Sequence, residues 1–335
     1  MRKTIVIVLL GGAASAFAQG KKADPNLGLP EMPVPADNPQ TPEKIALGHK
    51  LFWDTRLSKS GKTACLTCHL PNKGWADGQT LSKKDDGTMN TRHTPTLLNA
   101  AYATTFYWDG RSPTLEKQIG AAWRGQMGPK DDAGAAEIAK KLSEIKGYKD
   151  EFGRVFSEDP TPDNIAKALA AYVRTLVSGN SAWDRLEAGD AKALNAAQTR
   201  GFALFKDKAK CTLCHAGALL TAYEFKNIGI GMDKPEPDPG RGKVDAANPA
   251  MKGAFRVPTM RNVAKHPPYM HDGSLAKLSD VVDYFAKPHD NPTLDEKIKG
   301  GMPLTAAEKK DLLEFLKALN GSEPSAAAKK PKLPK

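Results

Sequence analysis

Two short stretches decide how this sequence reads: Cys65-Leu66-Thr67-Cys68-His69 and Cys211-Thr212-Leu213-Cys214-His215. Each is C-x-x-C-H, and together they hold all 4 cysteines of a 335-residue chain. That is too few to staple a chain of this length, so what matters is where they sit. Two thiols three positions apart on one helical turn can each form a thioether with a vinyl group of the same porphyrin, and the adjacent histidine then reaches the iron. A four-cysteine zinc site, two thioredoxin-like redox motifs and two plain disulfides compete, but none accounts for the histidine directly after each pair. The motifs therefore predict two covalently bound haem c groups and no disulfide. Cys65, Cys68, Cys211 and Cys214 are the expected attachment points, and His69 and His215 the proximal iron ligands.

Outward from the cysteines, the chain repeats itself. Gly48-His-Lys-Leu51-Phe52-Trp-Asp54 precedes the first motif and Gly201-Phe-Ala-Leu204-Phe205-Lys-Asp207 the second, giving G-x-x-L-F-x-D twice. Downstream, Pro95-Thr96-x-x-Asn99 matches Pro258-Thr259-x-x-Asn262, and Asp109-Gly110 and Asp272-Gly273 follow at the same distance from each proline. Leu115 and Leu278 also correspond. Two copies of one unit predict two similar domains with a pseudo-symmetric interface.

Helix signals dominate between these motifs. Thr41-Pro42 opens a helix through Trp53, and Thr161-Pro162 repeats that cap ahead of the apolar face Ile165, Leu169, Tyr172, Val173 and Leu176. Thr305-Ala-Ala-Glu308 is a capping box before Leu312, Leu313, Phe315, Leu316 and Leu319. The segments from Ala135 to Ile145 and from Ala191 to Phe205 also have helical composition. Strand alternation is scarce, and Gly229 to Gly253 reads as a long loop. The expected class is all-α with extensive loops.

The ends set compartment and charge. Arg2-Lys3, an apolar run from Ile5 to Ala18 and the small-x-small Ala16-Phe17-Ala18 form an export signal over 1–18. No stretch is long and apolar enough for a bilayer span. A proline-rich arm over 19–40 is expected to lie extended on the surface. The formal charge of +11 becomes +9 once Arg2 and Lys3 leave with the signal. Four lysines fall in 323–335, which reads as a solvated, disordered tail. Without an aromatic-interleaved basic patch, the charge does not indicate nucleic acid.

Together LFWDTRLS (Leu51 to Ser58), GWADG (Gly74 to Gly78), RHTPTLLN (Arg92 to Asn99), FYWDGR (Phe106 to Arg111), VPTMRNVAKHPPYMHDG (Val257 to Gly273) and the two C-x-x-C-H motifs resemble the bacterial di-haem cytochrome c peroxidase and MauG family. The resemblance runs over about residues 40 to 322. It implies two tandem cytochrome c-like domains, a peroxidatic one over 41–190 and an electron-entry one over 191–322. It also implies a periplasmic location, a homodimer, and reduction of hydrogen peroxide with electrons from a small cytochrome c or copper protein. Trp108 matches the family tryptophan lying between the haems, and Gln118 a pocket glutamine. The alternatives are a MauG-like oxidase acting on a protein side chain, and a non-catalytic di-haem electron-transfer cytochrome.

Four departures from the family pattern carry expectations. Lys73 to Thr91 holds no histidine to close the active iron, leaving it open unless His93 bends in. His93 itself stands where the family has an asparagine that binds calcium between the domains, so only main-chain carbonyls near His266 and Pro268 remain for that ion, a weaker oxygen cage. Gln126 stands where the family places a glutamate that shuttles a proton, and a carboxamide cannot act as acid or base at neutral pH. Phe285 stands where the family has the sixth ligand of the C-terminal haem, leaving Tyr284, His289 and Met302 as candidates.

Overall fold

The computed structural model describes residues 24–289, 291 and 293–335, so the expected export signal lies outside the described residues. Eleven α-helices occur among them. In chain order they are α1 (Pro42–Trp53), α2 (Cys65–Cys68), α3 (Leu115–Gln126), α4 (Asp132–Ser143), α5 (Lys146–Phe156), α6 (Pro162–Val173), α7 (Ala182–Glu187), α8 (Ala196–Lys206), α9 (Leu278–Ala286), α10 (Glu296–Lys299) and α11 (Ala306–Ala318). The described sheet is one antiparallel pair, β1 (Phe225–Lys226) on β2 (Phe255–Arg256), in which Phe225 faces Arg256. The helix starts follow the cap chemistry. Thr41, Thr161 and Thr305 each accept from the backbone N–H three residues on, and Glu308 returns the bond to Thr305 as a capping box requires. α8 begins at Ala196 because Asn195 is its cap; residues 191–194, expected to be helical, form a turn instead.

Each copy of the repeat builds one helix crossing. α1 packs on α6, and α8 on α11. The repeated glycine sits at each crossing: a Cβ at Gly48 would lie 1.9 Å from the Ala168 carbonyl oxygen, and one at Gly201 would lie 2.0 Å from that of Asp311. Only a residue without a side chain lets the backbones approach this closely. One turn on, Phe52 meets Tyr172 at 5.1 Å and 54°, and Phe205 meets Phe315 at 5.2 Å and 57°. The asparagine of each P-T-x-x-N segment is left-handed and donates its backbone N–H to the end of the second helix, Asn99 to Leu176 and Asn262 to Leu319. Each unit has its own buried cluster. One is centred on Leu47, Leu51, Phe52, Trp75, Leu169 and Tyr172, the other on Phe205, Val282, Leu312, Phe315 and Leu316.

The two units meet through their D-G loops. Gly110 of the first approaches Phe225 so closely that a Cβ would lie 2.3 Å from its ring, and Gly273 of the second approaches the Thr80 carbonyl, at 2.6 Å. Both glycines have positive φ, +66° and +67°. Arg92 spans the boundary, bonded to Asp109 on one side and Asp238 on the other, each at 2.7 Å.

The chain ends act as straps. Over 24–40 the arm is free of helix, and Gly179 and Asn180 donate backbone N–H groups to Pro25 and Leu27. Arg261, buried in a two-pronged pair with Asp184, also donates to the Gly28 carbonyl. The lysine-rich end corrects the expectation of a disordered tail. The Tyr172 hydroxyl donates to the Ala327 carbonyl at 2.8 Å, Arg56 to that of Pro334 at 3.0 Å, and Ala327 and Ala328 pack on the first core. Alanines and prolines between the lysines supply apolar contact that composition alone conceals.

Candidate haem sites

His69 and His215 occupy matching surroundings. A sharp turn after each brings a main-chain carbonyl back to the ring, so Nδ1–H of His69 donates to Trp75 O and that of His215 to Leu220 O, both at 3.1 Å. In both turns the carbonyl belongs to a left-handed residue, Trp75 at φ 62° and Leu220 at φ 49°. Fixing Nδ1 leaves Nε2 with its lone pair, the arrangement a metal-ligating imidazole uses. Burial drives both rings toward the neutral form, His215 down to about 4.

The cysteines fit thioether attachment better than the competing chemistries. All four are unbridged, and burial pushes the Cys65 and Cys211 thiols up to about 12, toward the neutral thiol. Cys65 packs on the first core and Cys211 on the second, which separates the pairs. Among the described residues no three His, Cys, Asp or Glu side chains group to hold a metal ion.

Cys65, Cys68 and His69 line a cavity of about 760 Å³ that reaches across to the second unit. That volume lies in the range of cofactor sites, about 300–1,000 Å³. Its walls are mainly apolar, from Phe52, Leu97, Leu98, Ile119 and Leu169, as a porphyrin face requires. Its far wall, Met260, Val263, Tyr269 and Met270, belongs to the cluster against which Cys211 packs. The residues present thus fit a haem.

The cavity gathers all three residues expected to be catalytic: Trp108, Gln118 and Gln126. Trp123 lines it too, held by a bond from its indole N–H to Leu57 O at 2.7 Å. Trp108 is fixed from both sides. Its indole donates to the His93 carbonyl at 2.9 Å, and its own carbonyl accepts from Arg256 N–H at 2.8 Å. The last bond has a counterpart, His93 N–H to His271 O at 2.7 Å. In the repeat His93 corresponds to Arg256 and Trp108 to His271, so the two bonds are one contact seen from both sides of a pseudo-twofold axis. His93 shares the cavity wall, with Nδ1 spent on Gln79 O at 2.9 Å and its carbonyl on Trp108; it offers no oxygen side chain in place of asparagine.

The candidate sixth ligands of the second site fall in two places, Tyr284 with His289 and Met302 on the second core. Tyr284 donates its hydroxyl to Ile228 O at 2.5 Å, and His289 Nε2–H donates to Tyr284 O at 2.8 Å. Their stacked rings line a small cavity with Met232 and Asp233. Each thus bonds one polar atom to a main-chain carbonyl, the Tyr284 hydroxyl and the His289 Nε2–H. Met302 does pack on the cluster beside Cys211, together with Met260 and Met270, which sequence reasoning had passed over. A methionine in an apolar stretch reads as core, so spacing gave no signal for them.

Comparison with known proteins places this arrangement. Residues 42–192 match the model of the di-haem cytochrome c peroxidase family. The cytochrome-c peroxidase IdrP1 of Pseudomonas sp. strain SCT is 36% identical over 97% of this chain and 93% of its own. The methylamine utilization protein MauG of Methylorubrum extorquens is 38% identical over 98% of this chain and 94% of its own. Among solved structures, a MauG-like protein associated with microbial copper homeostasis superposes with a TM-score of 0.83 at 31% identity, covering 93% of this chain and 99% of that one. With relatives this similar along nearly the whole chain, and with two matched sites fit for covalent c-type haem, the chain belongs to the di-haem cytochrome c peroxidase and MauG family.

Proposed function

We propose that this chain is an exported di-haem peroxidase that reduces hydrogen peroxide to two waters with two electrons and two protons. Peroxide is bound in the cavity beside Trp108, Gln118 and Gln126. The first haem is held by Cys65, Cys68 and His69 in a domain over 41–190, the second by Cys211, Cys214 and His215 in a domain over 191–322. A small periplasmic cytochrome c or copper protein donates the electrons at the second site. The observation that supports this most is the placing of Trp108, its indole held by the His93 carbonyl within the first unit and its backbone carbonyl tied across the boundary to Arg256 N–H of the second.

Bound haem supplies iron that accepts peroxide oxygen and exchanges single electrons. The protein's own groups do the rest. His69, its Nδ1–H spent on Trp75 O, presents Nε2 from one side. Gln126 closes helix α3 at the cavity wall and can orient peroxide by hydrogen bonding, but its carboxamide neither gives nor takes a proton, so water must carry protons between the peroxide oxygens. Clamping Trp108 fixes its ring between the units, so the electron path needs no rearrangement on each turnover.

Gln126 also suits a second reading, a MauG-like oxidase of a protein side chain, since a carboxamide at the cavity wall gives no acid–base help to repeated peroxide turnover. Spectra of the haem-loaded protein, taken before and after one equivalent of peroxide and again after adding reduced cytochrome c, separate the two. Rapid donor oxidation supports the peroxidase. A persistent oxidised spectrum with no donor turnover supports the oxidase. A protein that shows no open-site signal and no response to peroxide contradicts both.

A further inference from the structure

The cavity wall carries three arginines, Arg92, Arg111 and Arg256. Two of them are neutralised. Arg92 pairs with Asp109 and Asp238, and Arg111 with Asp109. Arg256 differs: among the described residues no carboxylate lies within ion-pair distance of it. Its side chain makes one long bond, Nε–H to Tyr107 O at 3.4 Å, and its guanidinium lies 5.4 Å from the Tyr223 ring centre. No acceptor among the described residues takes its two Nη groups. Burial lowers its pKa, so its surroundings disfavour the charge it carries. A guanidinium does not escape by deprotonating, and a half-buried cation on an apolar cavity wall is favoured by a counter-charge.

Its backbone holds the side chain in place. Arg256 lies on β2, paired with Phe225, and its N–H is bonded to Trp108 O. It also sits two residues before Pro258, the start of the P-T-x-x-N segment that passes behind His215. The guanidinium is thus fixed at the boundary between the two haem sites, on the element that also clamps Trp108. The anion that belongs in this cavity is the porphyrin, which carries two carboxylates and whose ring needs the apolar walls.

We propose that Arg256 binds a haem propionate in the cavity between the units, by charge-assisted hydrogen bonds from its Nη groups, and thereby sets the redox balance of that haem. Two parallel N–H···O bonds are the geometry in which a guanidinium holds a carboxylate most firmly. The cation also favours the electron-rich ferrous form, so it holds the potential of the haem it touches higher than it would otherwise be. Arg256 would then be a positioning residue for the electron path through Trp108. The inference rests on the di-haem reading, whose own failure would show separately as fewer than two haems per chain in the unaltered protein.

The test is a spectroscopic redox titration of the haem-loaded protein and of its Arg256→Gln and Arg256→Lys variants, after the haem content of each is measured. Arg256→Gln is expected to move the ferric/ferrous balance of one haem at least about tenfold toward ferric, which is about 59 mV for one electron. Arg256→Lys keeps the charge and is expected to load both haems and stay near the parent. If neither haem moves in Arg256→Gln, or if the lysine variant shifts as far as the glutamine variant, the proposal is overturned. Should Arg256→Gln fail to retain a haem, the lysine variant decides: normal loading and balance support the proposal, and parallel loss overturns it. Chloride titration of the unaltered protein at constant ionic strength separates the sources of negative charge. A resident propionate leaves the potential independent of chloride, whereas a chloride-dependent potential that becomes flat in Arg256→Gln identifies a free anion and overturns the assignment.

Discussion

Replacing Gly48 by alanine tests whether the repeated glycine is what lets α1 and α6 cross. The added methyl would lie 1.9 Å from the Ala168 carbonyl oxygen, while real Cβ atoms come no closer than 3.0 Å, so the helices must part by more than 1 Å. The obstacle is main chain, which no side-chain rotamer can move aside. Overpacking of this kind costs about 3 kcal/mol at its upper range. Alanine's better helix propensity offsets about 1 kcal/mol, for a net loss of about 2 kcal/mol. With a urea slope of about 2 kcal/mol per molar, the midpoint should fall by about 1 M. The assay is urea unfolding of the haem-loaded protein followed by circular dichroism, with Gly153→Ala in α5 as reference. There a methyl meets nothing within 4 Å, so alanine should stabilise by up to about 1 kcal/mol. Gly201→Ala, at 2.0 Å from Asp311 O, should behave like Gly48→Ala. A Gly48→Ala protein as stable as the parent or the reference would refute the reasoning.

Further outcomes follow from the site and the straps. Gln126→Glu restores a group able to move protons and should speed peroxide consumption, by up to about 10²–10⁴-fold if proton transfer limits the parent; an unchanged stopped-flow rate would sink that view. Trp108→Phe keeps a ring but loses the bond to His93 O, and should slow electron delivery between the haems while leaving haem content at two; an unaltered rate after rapid mixing removes Trp108 from the path. Deleting residues 326–335 strips the acceptor of Tyr172 and two alanines from the first core, and should destabilise that unit by about 1–2 kcal/mol; an unchanged melting temperature would return the tail to solvent. Burial works to raise the Asp54 carboxyl, but hydrogen bonds from Arg56 and Tyr148 outweigh it and hold the group below its ordinary 3.8. Its stabilising effect is therefore present above that value and is lost as pH falls through the lower folded value. Asp54→Asn should flatten the loss of stability below about pH 4, and equal acid sensitivity in parent and variant would contradict the assignment.

The sequence displayed the site's attachment points and concealed much of their setting. C-x-x-C-H and G-x-x-L-F-x-D are local patterns, so both units were legible from residue identity and spacing. The second helix of each crossing was not recognised as part of the repeat. α6 and α11 share a threonine cap and apolar spacing but no residue motif, with Tyr172 in one where Phe315 stands in the other. The carbonyls that orient His69 and His215 come from left-handed turns at Trp75 and Leu220, neither a residue type that announces positive φ. No local pattern marks Arg256, because its want of a partner is a property of packing across the chain. The hydrogen bonds that Tyr284 and His289 make to backbone carbonyls are likewise a product of packing that a sequence does not show.

The most direct test of the peroxidase reading is the ratio of donor oxidised to peroxide consumed, measured with the purified two-haem protein and a small reduced cytochrome c under anaerobic conditions. Two donor equivalents per peroxide are expected, with turnover abolished by His69→Gly. Peroxide consumed without donor oxidation, or donor oxidation that persists in the variant, would contradict it.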